Sequence, residues 1–296
     1  MRSRRAGAGP TIPVVAAVWA AFGVVAVEIV VTYSRIAPER LYSVSGTGLR
    51  AGLGRALVFL DFPVALAALP LIAIAAERQR RRPVALVTAL AGIALCSVVF
   101  WPGVVDQYDL DARPVNALPA AGVALALLLT AAAGLLRDRF RIHLGAAGFA
   151  LLLGLLALPW LGAELGFHLD GVPGLGSVFL TGKVVGVRAA VHLGHHHGMD
   201  GVLLTLTALL LVPLARRMSV PALRAAVGVY LGVVIAYGLA NTAQDAWLEQ
   251  VAKRGWTTHV IPSVLHPALT LAWLGIAVAA TAFSFLILRP RPARAR

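Results

Sequence analysis

The chain has 296 residues, of which 59% are hydrophobic and only 13% are charged, and its mean hydropathy is +0.83. A soluble domain of this length carries about 25% charged residues, so the composition excludes an ordinary soluble protein. The net charge of +13 comes largely from short arginine runs between apolar segments. This pattern is typical of loops at a membrane surface and argues against a nucleic-acid partner.

Repeated apolar runs of about 20 residues predict membrane-spanning helices. The predicted fold class is all-α, a polytopic membrane helix bundle that forms a single integral membrane domain over residues 1–296. Eight spans are expected, over residues 12–33, 54–76, 84–101, 118–136, 143–161, 198–215, 222–239 and 264–288.

The distribution of basic residues predicts the orientation of the bundle. One set of short loops, together with both termini, holds 17 of the 26 Lys and Arg, whereas the longer loops on the other side hold the remaining 9. By the positive-inside rule, both termini are cytoplasmic and the long loops are extracytoplasmic. The preference for arginine over lysine favours a bacterial source, and hence a bacterial plasma membrane.

Two extracytoplasmic loops carry most of the polar chemistry. The third outer loop, residues 162–201, contains glycines, prolines and an apolar stretch over 184–191 that is too short to span the membrane. We expect this stretch to lie in the membrane interface or to re-enter its edge. The fourth outer loop, residues 240–263, mixes acidic residues, tryptophans and a histidine.

Four of the eight histidines fall within six residues at the end of the third outer loop. On a helix, His192, His195 and His196 share one face, and Asp200 lies one turn beyond His196. Imidazole and carboxylate groups in this arrangement bind a divalent metal such as Zn, Cu or Fe. These four residues are predicted metal ligands; the alternative is a solvated interfacial loop that is merely rich in histidine.

Two more histidines are candidate ligands. His168 precedes Asp170 by two residues in a glycine-rich segment that also fits a simple turn. His266 stands before Pro267, a pair that predicts the N-terminus of the last span. The alternative for His266 is an interfacial histidine hydrogen-bonded to the backbone.

Two carboxylates, Glu28 and Asp61, lie inside predicted spans. A charged group in hydrocarbon is costly, so such residues usually face the bundle interior and mark a site or a pathway. We expect one of them to act as a general base, although Asp61 could instead form an ion pair with Arg55.

These features favour a metal-dependent membrane enzyme, hydrolase-like, that acts on a lipid or lipid-linked substrate taken from the bilayer. A transporter or uptake factor for metal ions or protons is the alternative, and it requires polar residues that continue to the cytoplasmic side. A non-catalytic membrane subunit is a third possibility. The sequence leaves the reaction, the metal, the oligomeric state and any partner protein open.

Overall fold

The computed structural model describes residues 11–35, 44–106, 109–142, 144–164, 173, 184–185, 188–189 and 197–289. Within these residues, eight helical segments are long and apolar enough to cross a membrane, which confirms the predicted number of spans. The α-helices are α1 Val14–Arg35, α2 Gly48–Phe59, α3 Ala65–Arg78, α4 Pro83–Cys96, α5 Ala117–Ala132, α6 Leu144–Glu164, α7 His197–Ala215, α8 Pro221–Trp247 and α9 Leu271–Leu288.

Shorter elements join or extend these helices. A π-helical segment, Leu60–Val64, connects α2 to α3 so that both form one span, and a second, Leu248–Ala252, continues α8. Single 3₁₀ turns occur at Ser97–Phe100, Pro114–Asn116 and Leu135–Arg137. Two small antiparallel strand pairs join β1 Thr11–Pro13 to β2 Arg139–Arg141 and β3 Val184–Val185 to β4 Arg188–Ala189.

The pair β3–β4 lies in the apolar stretch that was expected in the membrane interface. Its described residues form two short antiparallel strands rather than a helix, and Val184 pairs with Ala189. The pairing satisfies backbone hydrogen bonds within the stretch itself.

Two of the candidate residues, Asp61 and Asp200, lie on the two most central spans. The spans differ in how much of an apolar 18-residue stretch is buried inside the bundle. The buried share is 72% for α7 and 67% for the α2–α3 span, but only 22% for α6 and 17% for α9. α7 packs on α8, α1, α3 and α6. The peripheral helices α4, α6 and α9 expose many large apolar side chains, as expected for surfaces in contact with lipid.

Glycines bring α7 and α8 into close contact. A Cβ atom on Gly201 would overlap the carbonyl oxygen of Gly238, and one on Gly238 would lie 2.7 Å from the carbonyl oxygen of Gly201. Small residues at helix crossings are the usual device for tight packing within membranes, where burial of apolar surface does not drive association.

The predicted basic loops meet at one end of the bundle. We call this the arginine end, formed by residues 77–82, 135–141, 215–221 and 286–289. Arg78 pairs with Asp138 at 2.7 Å, and Glu77 accepts a hydrogen bond from the backbone N–H of Val220 at 2.8 Å. Arg216 donates to two carbonyl groups at the end of α9. The prediction that this end faces the cytoplasm stays a prediction.

Two predicted span boundaries differ from the observed helix ends by seven residues or more. The seventh span was expected to end at residue 239, but α8 and its π segment continue to Ala252, into the predicted fourth outer loop. Polar residues there suggested a loop, whereas Asn241, Asp245 and Glu249 are buried against other parts of the bundle. The last helix begins at Leu271 instead of residue 264, because the preceding residues form an extended segment.

Candidate functional site

An extended segment, residues 259–265, forms neither helix nor strand and runs antiparallel to the second half of α8. Three side chains of α8 donate hydrogen bonds to its carbonyl groups. Trp247 Nε1 donates to His259 at 2.9 Å, Gln244 Nε2 to Ile261 at 3.1 Å, and Tyr237 Oη to Leu265 at 2.9 Å. These bonds satisfy backbone groups that no helix or strand satisfies in this segment.

His266 follows directly on this segment, so its position is set by the Tyr237–Leu265 hydrogen bond. The prediction that His266 begins the last helix is wrong. α9 starts five residues later, where the Thr270 hydroxyl accepts a hydrogen bond from the backbone N–H of Trp273 at 3.3 Å. His266 therefore lies at a bend outside any helix or strand.

His266 lines a cavity of about 430 Å³ whose walls are almost entirely apolar and aromatic. The walls come from the π segment, α3, the 3₁₀ turn after α4 and the residues that follow it, α8, the extended segment and α9. Two of the aromatic residues that line it, Phe100 and Trp101, are also 61% and 62% exposed on the outer surface. A cavity of this size and composition is suited to an apolar ligand.

Tyr237 connects two of the predicted site residues. Its ring lies between Phe62, at a centroid distance of 6.3 Å, and Trp273, at 5.8 Å, and all three line the cavity. Its hydroxyl group donates a hydrogen bond to the carbonyl of Leu265, next to His266. The residue after Tyr237, Gly238, lies against Gly201, which follows Asp200. The fold therefore brings Asp200 and His266 into the neighbourhood of one tyrosine, although 66 residues separate them in sequence.

Asp61 lies in the π segment directly before Phe62 and is almost completely buried. Its Oδ2 atom accepts a hydrogen bond from Asn116 Nδ2, and it interacts electrostatically with Arg113. The alternative partner considered from the sequence, Arg55, instead lies over the ring of Tyr33, 5.6 Å from its centroid. π-Helical segments are rare and occur frequently at functional sites.

Glu28 is buried on α1, as expected for a carboxylate within a span. It shares the buried face of α1 with Ile29 and Thr32. It is not among the described residues that line the apolar cavity. Of the described candidates, only His266 lines this cavity; Asp61 directly precedes Phe62 on its wall, and Asp200 lies near Tyr237.

The start of α7 is held in place by two neighbouring helices. Asp245 of α8 accepts a hydrogen bond from the backbone N–H of Gly198 at 3.0 Å, which satisfies one of the free donors at this helix N-terminus. The ring of Trp160 on α6 packs against Gly198 so closely that a Cβ atom there would overlap it. The end of the histidine cluster is therefore anchored to the bundle.

Four predicted ligands, His168, His192, His195 and His196, lie outside the described residues. Among the residues that are described, no three His, Cys, Asp or Glu side chains are grouped closely enough to hold a metal ion. The predicted metal site thus depends on the histidine cluster, which directly precedes α7.

Sequence reasoning missed three residues of this region: Asn116, Tyr237 and Asp245. A signal was present for two of them, because Tyr237, Asn241, Asp245 and Glu249 recur every four residues. Polar residues at this spacing lie along one face of a helix and indicate a buried polar face rather than a loop. Asn116 gave no such signal, since it is 55 residues from Asp61.

No protein family model, curated protein or solved structure matches the chain. Its class therefore follows from its own helices and their composition. The chain is a predominantly helical, multi-pass membrane protein with eight candidate spans among its described residues.

Proposed function

We propose that this protein is a metal-dependent membrane enzyme that hydrolyses a lipid or lipid-linked substrate. His192, His195 and His196 would bind a divalent metal, Zn, Cu or Fe, with Asp200, His168 or His266 completing the ligand set. A metal-bound water would be the nucleophile, because a divalent metal lowers the pKa of bound water toward neutrality.

The observation that carries this proposal is the apolar cavity with His266 on its wall. An acyl or isoprenoid chain needs apolar walls, and a metal site needs nitrogen and oxygen donors beside them. The cavity offers the apolar walls. His266 and Asp200 are candidate donors for the metal, since both lie near Tyr237. The exposed aromatic residues Phe100 and Trp101 at its rim suit entry from the membrane, where aromatic side chains favour the interface.

The contacts favour Asp61 over Glu28 as the general base. Neither carboxylate lines the cavity, but Asp61 directly precedes Phe62, which does line it. The amide of Asn116 fixes the orientation of the Asp61 carboxylate, as a base requires. Glu28 is then a structural carboxylate of α1.

The described buried charged residues lie in one half of the bundle, which argues against the transporter alternative. Within the described part of the chain, the buried charged residues are Glu28, Arg55, Asp61, Asp200, Asp245 and Glu249. Along its own helix, each of these residues is at least 14 residues from the arginine end. Fourteen helical residues correspond to a distance of about 20 Å. A path for metal ions or protons would need polar groups across this distance, and the described residues offer only isolated Thr, Ser and Gln side chains.

The first test is the metal content of the detergent-purified full chain, measured by mass spectrometry. We expect near-stoichiometric metal in the wild type and its loss in His192→Ala/His196→Ala. The matched control is His259→Ala, because His259 is exposed and packs only against Trp247 in the described contacts. Wild-type protein without metal, even after reconstitution with Zn, Cu and Fe, would contradict the proposal.

The second test separates metal binding from catalysis. The metal-loaded protein is incubated with a polar lipid extract, and the products are identified by mass spectrometry. Asp61→Asn should keep its metal and lose about 100-fold or more in hydrolysis rate, since a general base contributes roughly 10²- to 10⁴-fold. A metal-loaded wild type that converts no lipid would instead favour the non-catalytic subunit.

A further inference from the structure

A second pocket, of about 600 Å³, lies at the arginine end and is independent of the apolar cavity. It is enclosed by the ends of α7 and α9, the first turn of α8 and strand β2. Its charged lining residues are all arginines: Arg141, Arg216, Arg217, Arg224 and Arg289. Within the described part of the chain, no carboxylate lines this pocket or forms an ion pair with these arginines. Five like charges around one pocket repel one another unless an anion lies between them.

Two of these arginines are held in fixed positions. Arg216 donates from Nε to the carbonyl of Ile287 at 2.9 Å and from Nη2 to that of Leu286 at 2.7 Å. The guanidinium group of Arg217 lies 4.4 Å from the ring centroid of Phe140. A guanidinium group that is already oriented loses less entropy when it binds an anion.

The other lining residues are apolar, and they indicate where the pocket lies relative to the membrane surface. Pro213 and Ala215 are in the last turn of α7, while Ile287 and Leu288 end α9. The pocket therefore lies where two spans leave the hydrocarbon region, at the level of lipid headgroups. A soluble anion needs only the arginines, whereas a lipid also uses these apolar walls.

We propose that this pocket binds the phosphate group of an anionic phospholipid. The arginines would hold the phosphate oxygens in paired hydrogen bonds, and the apolar walls would contact the first carbons of the acyl chains. The predicted orientation puts the pocket in the cytoplasmic leaflet, whose surface is rich in anionic lipids.

A neighbouring pocket of about 440 Å³ provides the contrast. It shares Arg217 with the proposed phospholipid pocket and is lined by four more arginines, but also by two carboxylates, Glu77 and Asp138. The other arginines are Arg78, Arg80, Arg81 and Arg82. Asp138 pairs with Arg78 at 2.7 Å, and Glu77 accepts hydrogen bonds from the backbone N–H groups of residues 219 and 220. Its carboxylates already offset part of the positive charge, so the phospholipid is assigned to the other pocket.

The test is native mass spectrometry of the delipidated full chain, titrated with phosphatidylglycerol or phosphatidylcholine. We expect phosphatidylglycerol to bind at least about 10-fold more tightly than phosphatidylcholine, since only the former carries a net negative charge. Arg141→Gln/Arg224→Gln should weaken its binding by about 10- to 30-fold, at roughly 1 kcal/mol per arginine near an anionic lipid. Arg141→Lys/Arg224→Lys keeps the charge and should lose less, because lysine cannot form the paired hydrogen bonds.

The matched control is Arg81→Gln/Arg82→Gln, which removes the same charge from the same end of the bundle but alters the neighbouring pocket. It should change phosphatidylglycerol binding by less than about threefold, and thermal unfolding checks that all variants are folded. A loss equal to that of Arg141→Gln/Arg224→Gln would overturn the proposal in favour of diffuse attraction. Full competition by glycerol phosphate, at the affinity of phosphatidylglycerol, would overturn it in favour of a soluble phosphate ligand.

Discussion

At the scale of single residues, the position of Asp61 shows how a carboxylate is accommodated in a membrane span. It is 2% exposed, and its partner is the side-chain amide of Asn116, which lies just before α5. A neutral donor of this kind satisfies a carboxylate oxygen without burying a second charge. The guanidinium group of Arg55, the nearest basic residue in sequence, lies over the ring of Tyr33.

The contact between Gly201 and Gly238 gives a prediction at the same scale. Gly201→Ala should destabilise the protein by about 1–3 kcal/mol, because the added Cβ atom meets backbone that cannot move aside. The matched control is Gly275→Ala on the exposed face of α9, where a Cβ atom meets nothing within 4 Å. That substitution should be neutral or slightly stabilising, since alanine is the better helix former.

Thermal unfolding in detergent measures both substitutions. A lower midpoint for Gly201→Ala and an unchanged or higher midpoint for Gly275→Ala are the expected results. Equal midpoints would mean that the two helices do not cross as closely as described.

At the scale of elements, α8 combines two tasks along its length. Its first half packs on α9, where Gly232 lies against Ser284. Its second half carries the hydrogen bonds to residues 259–265 that hold His266 at the cavity. This division explains why α8 continues far beyond the length needed to span the membrane.

Tyr237→Phe tests the attachment of the extended segment. The substitution keeps the ring and removes the hydroxyl group that donates to Leu265, which is worth about 1 kcal/mol. Amide exchange in the segment around residues 264–266 should therefore become about fivefold faster, as measured by hydrogen–deuterium exchange and mass spectrometry. Tyr230→Phe is the control, because the Tyr230 hydroxyl donates to Leu66 on α3 and not to this segment. Equal exchange in both variants would exclude an anchoring role for Tyr237.

At the scale of the whole molecule, the bundle has two chemically different ends. The arginine end gathers short basic loops, while the described buried carboxylates lie in the other half. The positive-inside rule assigns the arginine end to the cytoplasm. The side of the membrane that each proposed site faces depends on that assignment.

Cysteine accessibility checks this orientation. Cys96 is buried and is the only cysteine, so Cys96→Ala provides a background without thiols. In intact cells, a membrane-impermeant maleimide should label Thr258→Cys and should leave Ala222→Cys, next to the arginine end, unlabelled until the membrane is disrupted. Labelling of Ala222→Cys alone in intact cells would reverse the predicted topology.

The sequence by itself determined the class of fold and the number of spans. The thickness of the hydrocarbon core sets the length of a spanning helix, so an apolar run of that length identifies a span. This identification does not depend on which helices lie next to it. The sequence also identified Glu28 and Asp61 as buried carboxylates, because a charge within an apolar run is tolerated in a membrane only where it faces the interior of the bundle.

Only the tertiary structure decided which polar residues meet. The Asp61–Asn116 bond and the approach of Asp200 and His266 to Tyr237 join residues that are distant in sequence. The end of α8 and the start of α9 were also mispredicted for this reason. Buried polar side chains of α8 pair with an extended segment, and local composition cannot distinguish such an interior face from a solvated loop.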